Sequence, residues 1–189
     1  VPAGEAQKFK KYMEKLVEDL QGAMTHAFEG EEYEKQRRAI AQQVGDQQEA
    51  KLEDINKKAD SQGFMIVRTP SGLVFGPKGG QPGEPMSRET YEGLPPEEQK
   101  RIDDGLEALN EEMAGIMRLV RQDERVGRDA LRELDQKVAG SAAQHLIDEA
   151  CETWCRYDEM SDYLHAVLKD VVDNAEDFKG RMKTIGSSA

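Results

Sequence analysis

GFMIVRTPSGLVFGPKGG, Gly63 to Gly80, stands apart from the sequence on either side of it. The flanks are dominated by Glu, Lys, Gln, Arg and Leu, whereas this stretch holds Phe, Met, Ile and Val, a Thr-Pro-Ser-Gly turn, then Leu, Val and Phe. Two β-rich runs, Phe64 to Arg68 and Leu73 to Phe75, flank Thr69-Pro70-Ser71-Gly72, where proline presets φ and glycine supplies a positive φ if needed. The stretch predicts a β-hairpin. Side chains alternate across a strand, so Phe64, Ile66 and Arg68 share one face while Met65 and Val67 take the other, and Leu73, Val74 and Phe75 divide likewise. Both faces are apolar. One is expected to pack on helix ends, because a lone hairpin is marginal in water. The other is either covered by Met86, Tyr91 and the irregular Gly76 to Pro85 loop, or left open for a partner.

The flanks read as helices. Residues 5 to 28 place Phe9, Tyr12, Met13, Leu16, Val17, Leu20, Met24 and Ala27 at three-four spacing, an amphipathic stripe. After Phe28-Glu29-Gly30 a second pattern, roughly 31 to 62, runs through Tyr33, Arg37, Ile40, Val44, Gln48, Leu52, Ile55 and Ala59. Its seam is narrow and partly polar, suited to a single helical partner. Gly63 is placed to end it. Ser87 and Thr90 bracket a short helical turn, and Leu94-Pro95-Pro96-Glu97-Glu98 is a helix start. From there Ile102, Leu106, Leu109, Met113, Ile116 and Val120 form a heptad seam, which slips phase near Gly127 and broadens toward Trp154. No proline interrupts Glu97 to Trp154, which predicts one helix of about 55 residues, roughly 80 Å long. A last amphipathic helix is expected from about Met160 to Phe178.

These lengths imply an architecture. The second helix matches the first half of the long one, and the hairpin joins them, so the two should run antiparallel. The predicted fold is mostly α: a helical base from 1–30 and 128–189, and a two-helix coiled-coil arm from 31–127. The β-hairpin and Gly/Pro loop, 63–86, would lie at the arm's tip.

Composition agrees with a thin structure, since 37% hydrophobic and 34% charged residues leave little for a broad core. A net charge of -12 argues against nucleic acid or an anionic membrane as a partner. No run approaches the roughly 18 apolar residues of a membrane span, and no signal peptide opens the chain, so it reads as soluble and intracellular. Val1 in place of an initiator Met and the abrupt IGSSA end suggest a piece of a longer protein.

Candidate chemistry is thin. Cys151 and Cys155 are four apart on a helix, without the further ligands of a structural metal site, and read as small, partly buried free thiols. His26, His145 and His165 lie in helical patterns far from any nucleophile elbow. GPKGGQPG is glycine-rich, but no Ser or Thr follows its lysine and no helix opens directly after it, so it reads as a connector, not a phosphate loop. The carboxylate pairs Glu97-Glu98, Asp103-Asp104 and Glu111-Glu112 read as solvated helix faces. No catalytic and no metal-binding residue is assigned. The candidate site is the hairpin, with Phe64, Met65, Val67, Leu73 and Phe75 as substrate contacts.

VPAGEAQKF, AFEGEEYEKQRRAI, the GFMIVRTPSGLVFGPKGGQPGEPMSRETYEGLP segment, LRELDQKVAG and HLIDEA, in this order, resemble the helical insertion of Lon-related ATP-dependent proteases. The bacterial Lon-like subgroup with a long helical arm is the nearest likeness, and the TPxG turn and LPxEE helix start carry it most specifically. The resemblance implies a cytoplasmic, homo-hexameric parent that uses ATP and magnesium and cleaves with a Ser-Lys dyad. Neither a dyad nor a nucleotide motif occurs in these 189 residues, so the chain itself is expected to be inactive and without cofactor. The implied role is accessory: recognising, gating or holding unfolded protein substrates at the chamber entrance. Two other roles compete with it, a structural arm bracing neighbouring subunits and a coiled-coil adaptor unrelated to proteolysis.

Overall fold

The computed structural model describes residues 5–178 except Ser71 and Pro82. Five α-helices and one antiparallel β-hairpin follow in the order α1 (Glu5–Phe28), α2 (Glu31–Ser61), β1 (Phe64–Thr69), β2 (Gly72–Pro77), α3 (Arg88–Glu92), α4 (Pro96–Trp154) and α5 (Asp158–Asp173). The chain divides into two compact units, one of Val1–Ala41 with Gly127–Ala189, the other of Gln42–Val126. Among the described residues no helix is long and apolar enough to cross a membrane.

In the first unit, α1 buries Leu16, Leu20, Met24 and Phe28, one residue per turn along a single stripe. These meet Leu134, Ala139, Ala143, Ile147, Ala150 and Trp154 of α4 and Met160, Leu164 and Val171 of α5. The three alanines of α4 are fully buried. With only a methyl group at those positions, neighbouring helices can approach α4 closely. Phe9 and Tyr12 close the core at Trp154, Phe9 edge-on at 5.1 Å between ring centroids.

Tyr33, at the start of α2, also belongs to this core. Its hydroxyl donates to Asp135 Oδ1 at 2.7 Å, and both residues are buried. Phe28 packs edge-on against the Tyr33 ring at 5.1 Å. A buried carboxylate on α4 is therefore satisfied, in part, by a phenol from the first turn of α2.

The second unit is built on an antiparallel helix pair. Lys58 of α2 bonds Glu112 of α4 at 2.5 Å, and Lys51, one heptad earlier on α2, pairs with Asp123, further along α4. Partners that retreat along one helix as the other advances define opposite directions. Ile55, Ala59, Leu109 and Met113 are buried between the two segments. The long helix is unbroken from Pro96 to Trp154, 59 residues, and retains its helical hydrogen bonding through Gly127.

Three expectations are corrected. The loop from Gly76 is shorter than its glycines and prolines imply, because β2 extends to Pro77 and Lys78 bridges Pro85. Pro77 is tolerated because it faces Phe64 in a pair that exchanges no ladder bonds, so its missing N–H leaves no gap. The last helix stops at Asp173, not Phe178. Asn174 leaves helical geometry at φ -107, ψ 25, and its side-chain amide donates to the Asp170 carbonyl and carboxylate. A separate helical turn follows over 175–178. Lastly, Cys151 and Cys155 are joined as a disulfide across the end of α4, with Cα atoms 4.6 Å apart. Helical spacing alone does not bring two Cα atoms so close. The chain is tightened where α4 ends.

Tyr33→Phe leaves the Asp135 carboxylate short of a donor and is expected to destabilise the protein by about 1–3 kcal/mol in urea unfolding. The disulfide closes only a short loop, so reducing it should cost about 2 kcal/mol or less. Unfolding curves with and without reductant, read on the single tryptophan Trp154, check this. Loss of the whole transition on reduction would show that packing alone does not hold this core.

Candidate functional site

Gly63 turns the chain from helix to strand. It sits at φ 85, a conformation that side-chain-bearing residues rarely adopt, and its N–H donates to Asp60 O at 3.2 Å. Six cross-strand pairs follow, from Phe64 opposite Pro77 to Thr69 opposite Gly72. At the turn Gly72 takes φ 129 and accepts a bond from the Thr69 hydroxyl at 2.9 Å.

The inner face carries Phe64, Ile66 and Phe75. Phe64 and Phe75 are buried with Ile55, Ala59, Leu109 and Met113, and Ile66 packs at the margin. The Phe64 ring lies on Gly105 of α4 so closely that a methyl group there would stand 2.6 Å from Cζ. This glycine, in a helix that otherwise has no need of one, is the seat for the ring.

The outer face carries Met65 and Val67 opposite Gly76 and Val74. Its two ends differ. Near Gly76 the chain folds back on β2: Met86 N–H donates to Pro77 O at 2.8 Å, Gly79 N–H to Glu84 O at 2.7 Å, and Pro85 comes within 3.9 Å of a methyl placed on Gly76. Near the turn no such cover is present among the described residues: Val74 is 39% exposed on this face, and Leu73, which lies opposite Arg68 and so at the turn end of the inner face, is 43% exposed. Met65 and Val67 between them are half-buried. The outer face is covered at one end and open at the other.

Of the five residues assigned from sequence, then, Phe64 and Phe75 are core residues that hold the hairpin down from beneath. Only Met65, Val67 and Leu73 reach the surface. Val74 belongs with them and was not assigned. Its signal was present in the alternation, which sets it directly across from Val67.

The neighbouring charges are tied locally. Lys78 pairs with Asp60 at 2.5 Å and also donates to the Asp60 carbonyl at 3.2 Å. With the Gly79 amide given to Glu84, the GPKGG segment does not present the converging free N–H groups that an anion needs. The Tyr91 hydroxyl donates to Asp103 at 2.6 Å, and that bond raises the tyrosine pKa. On α2 the Lys57 ammonium bonds Glu53 at 2.7 Å and lowers its pKa. Arg68 is exposed beside the open end.

The three histidines are exposed on helix surfaces, and the His165 ring donates to the Ser161 carbonyl at 2.7 Å, a contact within one helical turn. Compared with models of known protein families and with characterised proteins, the sequence finds no significant match in either.

Gly105→Ala should destabilise the second unit by about 1–3 kcal/mol through overpacking against Phe64, despite alanine's better helix propensity. Gly115→Ala, where the nearest neighbour is a flexible Arg118 nitrogen 3.8 Å away, should stabilise by about 0.5–1 kcal/mol. Thermal unfolding of the two variants checks the contrast, and equal effects would remove the special role of Gly105.

Proposed function

We propose that this chain is a non-catalytic accessory segment that holds unfolded protein substrates, in the manner of the helical insertion of a Lon-like ATP-dependent serine protease. The observation that carries the reading is the open end of the hairpin. Val74 on the outer face and Leu73 at the turn end of the inner one expose apolar surface on a sheet that two buried phenylalanines anchor. A firmly seated apolar patch exposes its side chains without unfolding to do so, which suits transient contact with chains that have lost their own core.

In this reading the antiparallel segments of α2 and α4 in the second unit are a coiled-coil arm, with the hairpin at its tip. Proteolysis, ATP and magnesium belong to other parts of a cytoplasmic, homo-hexameric parent. The family likeness rests on the sequence motifs and the order of elements. In a reducing cytoplasm Cys151 and Cys155 would stand as thiols, and the helix packing around Trp154 would carry that end of the molecule.

Val74→Asp and Leu73→Asp should weaken binding of a permanently unfolded, carboxymethylated protein by about tenfold each in fluorescence anisotropy, with melting unchanged. Val126→Asp, a control at a residue 60% exposed on α4, should bind as the unaltered chain does. If both hairpin variants retain full affinity, the hairpin is not the contact. Crosslinks from Leu73 that reach only a second copy of the chain would favour a bracing role between subunits.

A further inference from the structure

The β1–β2 ladder leaves a row of backbone groups unused. Lys78 N–H donates to Gly63 O at 2.9 Å, and bonded pairs recur every second residue in an antiparallel ladder. The pairs Met65–Gly76, Val67–Val74 and Thr69–Gly72 are therefore those that exchange bonds across the hairpin. The N–H and C=O groups of Ile66 and Arg68 point away from β2, and no described residue bonds to them. On β2 the corresponding row is shortened, since Met86 already occupies the Pro77 carbonyl. The edge of β1 is thus the longer open one.

Beside that edge lies an open groove of about 710 Å³ in the same unit, between Ile66 and α2. Leu52 and Ile66 give it an apolar lining, and Gly45, Asn56, Glu49 and Glu53 complete it. A strand added to β1 would lie about 4.8 Å away, with every second side chain on the Ile66 side and so directed into the groove. Glu53 already holds Lys57, whereas Glu49 has no ion pair among the described residues. On a chain of net charge -12, a cationic occupant is the complementary one.

We propose that the free edge of β1 is a β-augmentation site, which takes an extended segment of unfolded polypeptide, apolar at alternate positions and bearing Lys or Arg between, as a third strand. This rests on the reading of the hairpin as a substrate contact and specifies how the contact is made. Main-chain bonds to Ile66 and Arg68 supply affinity for any extended chain, the groove selects an apolar side chain on the Ile66 face, and the net charge of -12 favours basic residues on the other. Such an edge accepts many sequences and rejects folded proteins, whose backbone groups are already paired.

The test uses the 189-residue chain and a labelled peptide alternating Val and Lys, with versions N-methylated at odd or at even amides. Only one set of amides can face β1, so one methylated version should lose about tenfold or more in affinity while the other binds as the parent peptide. Hydrogen exchange at the Ile66 and Arg68 amides should slow by about tenfold on binding, with smaller change at Met65 and Val67, which are already in the ladder. A Val/Glu peptide should bind about tenfold more weakly at low salt. Equal binding of both methylated versions, with no slowing at Ile66 and Arg68, overturns the edge site. If the parent peptide then still loses affinity to the Val74→Asp chain, the hairpin contact stands and only the edge fails. If the parent peptide does not bind the unaltered chain, both fall. Equal binding of the Val/Glu peptide overturns the selection for basic residues.

Discussion

The second unit depends on one contact, the Phe64 ring seated on the bare backbone of Gly105. A two-stranded sheet has too few ladder bonds and too little buried area to stand alone in water. It persists here because Phe64 and Phe75 sink into the same apolar cluster that joins α2 to α4. The ring is large and the helix pair narrow, so space for it must come from the helix. Gly105 yields that space at the cost of a weaker helix position, about 1 kcal/mol relative to alanine. The hairpin, the orientation of its outer face and the groove beside β1 all follow from that seat.

Much of this was legible in the sequence because it is written in periodicity. The three-four stripe of α1, the heptad seam of Ile102 to Val120 and the absence of proline after Pro96 specify helices by spacing alone. The hairpin is equally plain, since Pro70 and Gly72 mark its turn and β-branched and aromatic residues mark its strands. What escaped the sequence depends on partners that spacing does not name. Tyr33 reads as one more seam residue of α2, and nothing in LRELDQK distinguishes Asp135 from its solvated neighbours. Only their meeting across 102 residues of chain reveals a buried polar pair.

The candidate site was legible as a hairpin with two apolar faces, but not as to which face is buried. Alternation sorts residues into two sets, each of them apolar, and does not name the inner one. Gly105 breaks the tie: the ring that needs a recess goes where the recess is. A glycine in the middle of a heptad seam, with Ile102 and Leu106 around it, is the sequence signal for such a recess. The cysteines were misread for a related reason. Four-residue spacing on a helix is compatible with a bond but does not predict one, and the tightening of the chain at the end of α4 is not a periodic feature.

The half-open outer face is a consequence of topology. After β2 the chain must return to α4, so the returning segment can shield only the end of the hairpin where it leaves, near Gly76 and Pro77. The turn end, four residues away along the strand, is out of reach of a connection that is already held there by the Met86 and Gly79 bonds. Covering Val74 from within would require a longer loop. The chain instead spends its glycines and prolines on a tight return, and the apolar turn end stays accessible while the strands beneath it remain anchored.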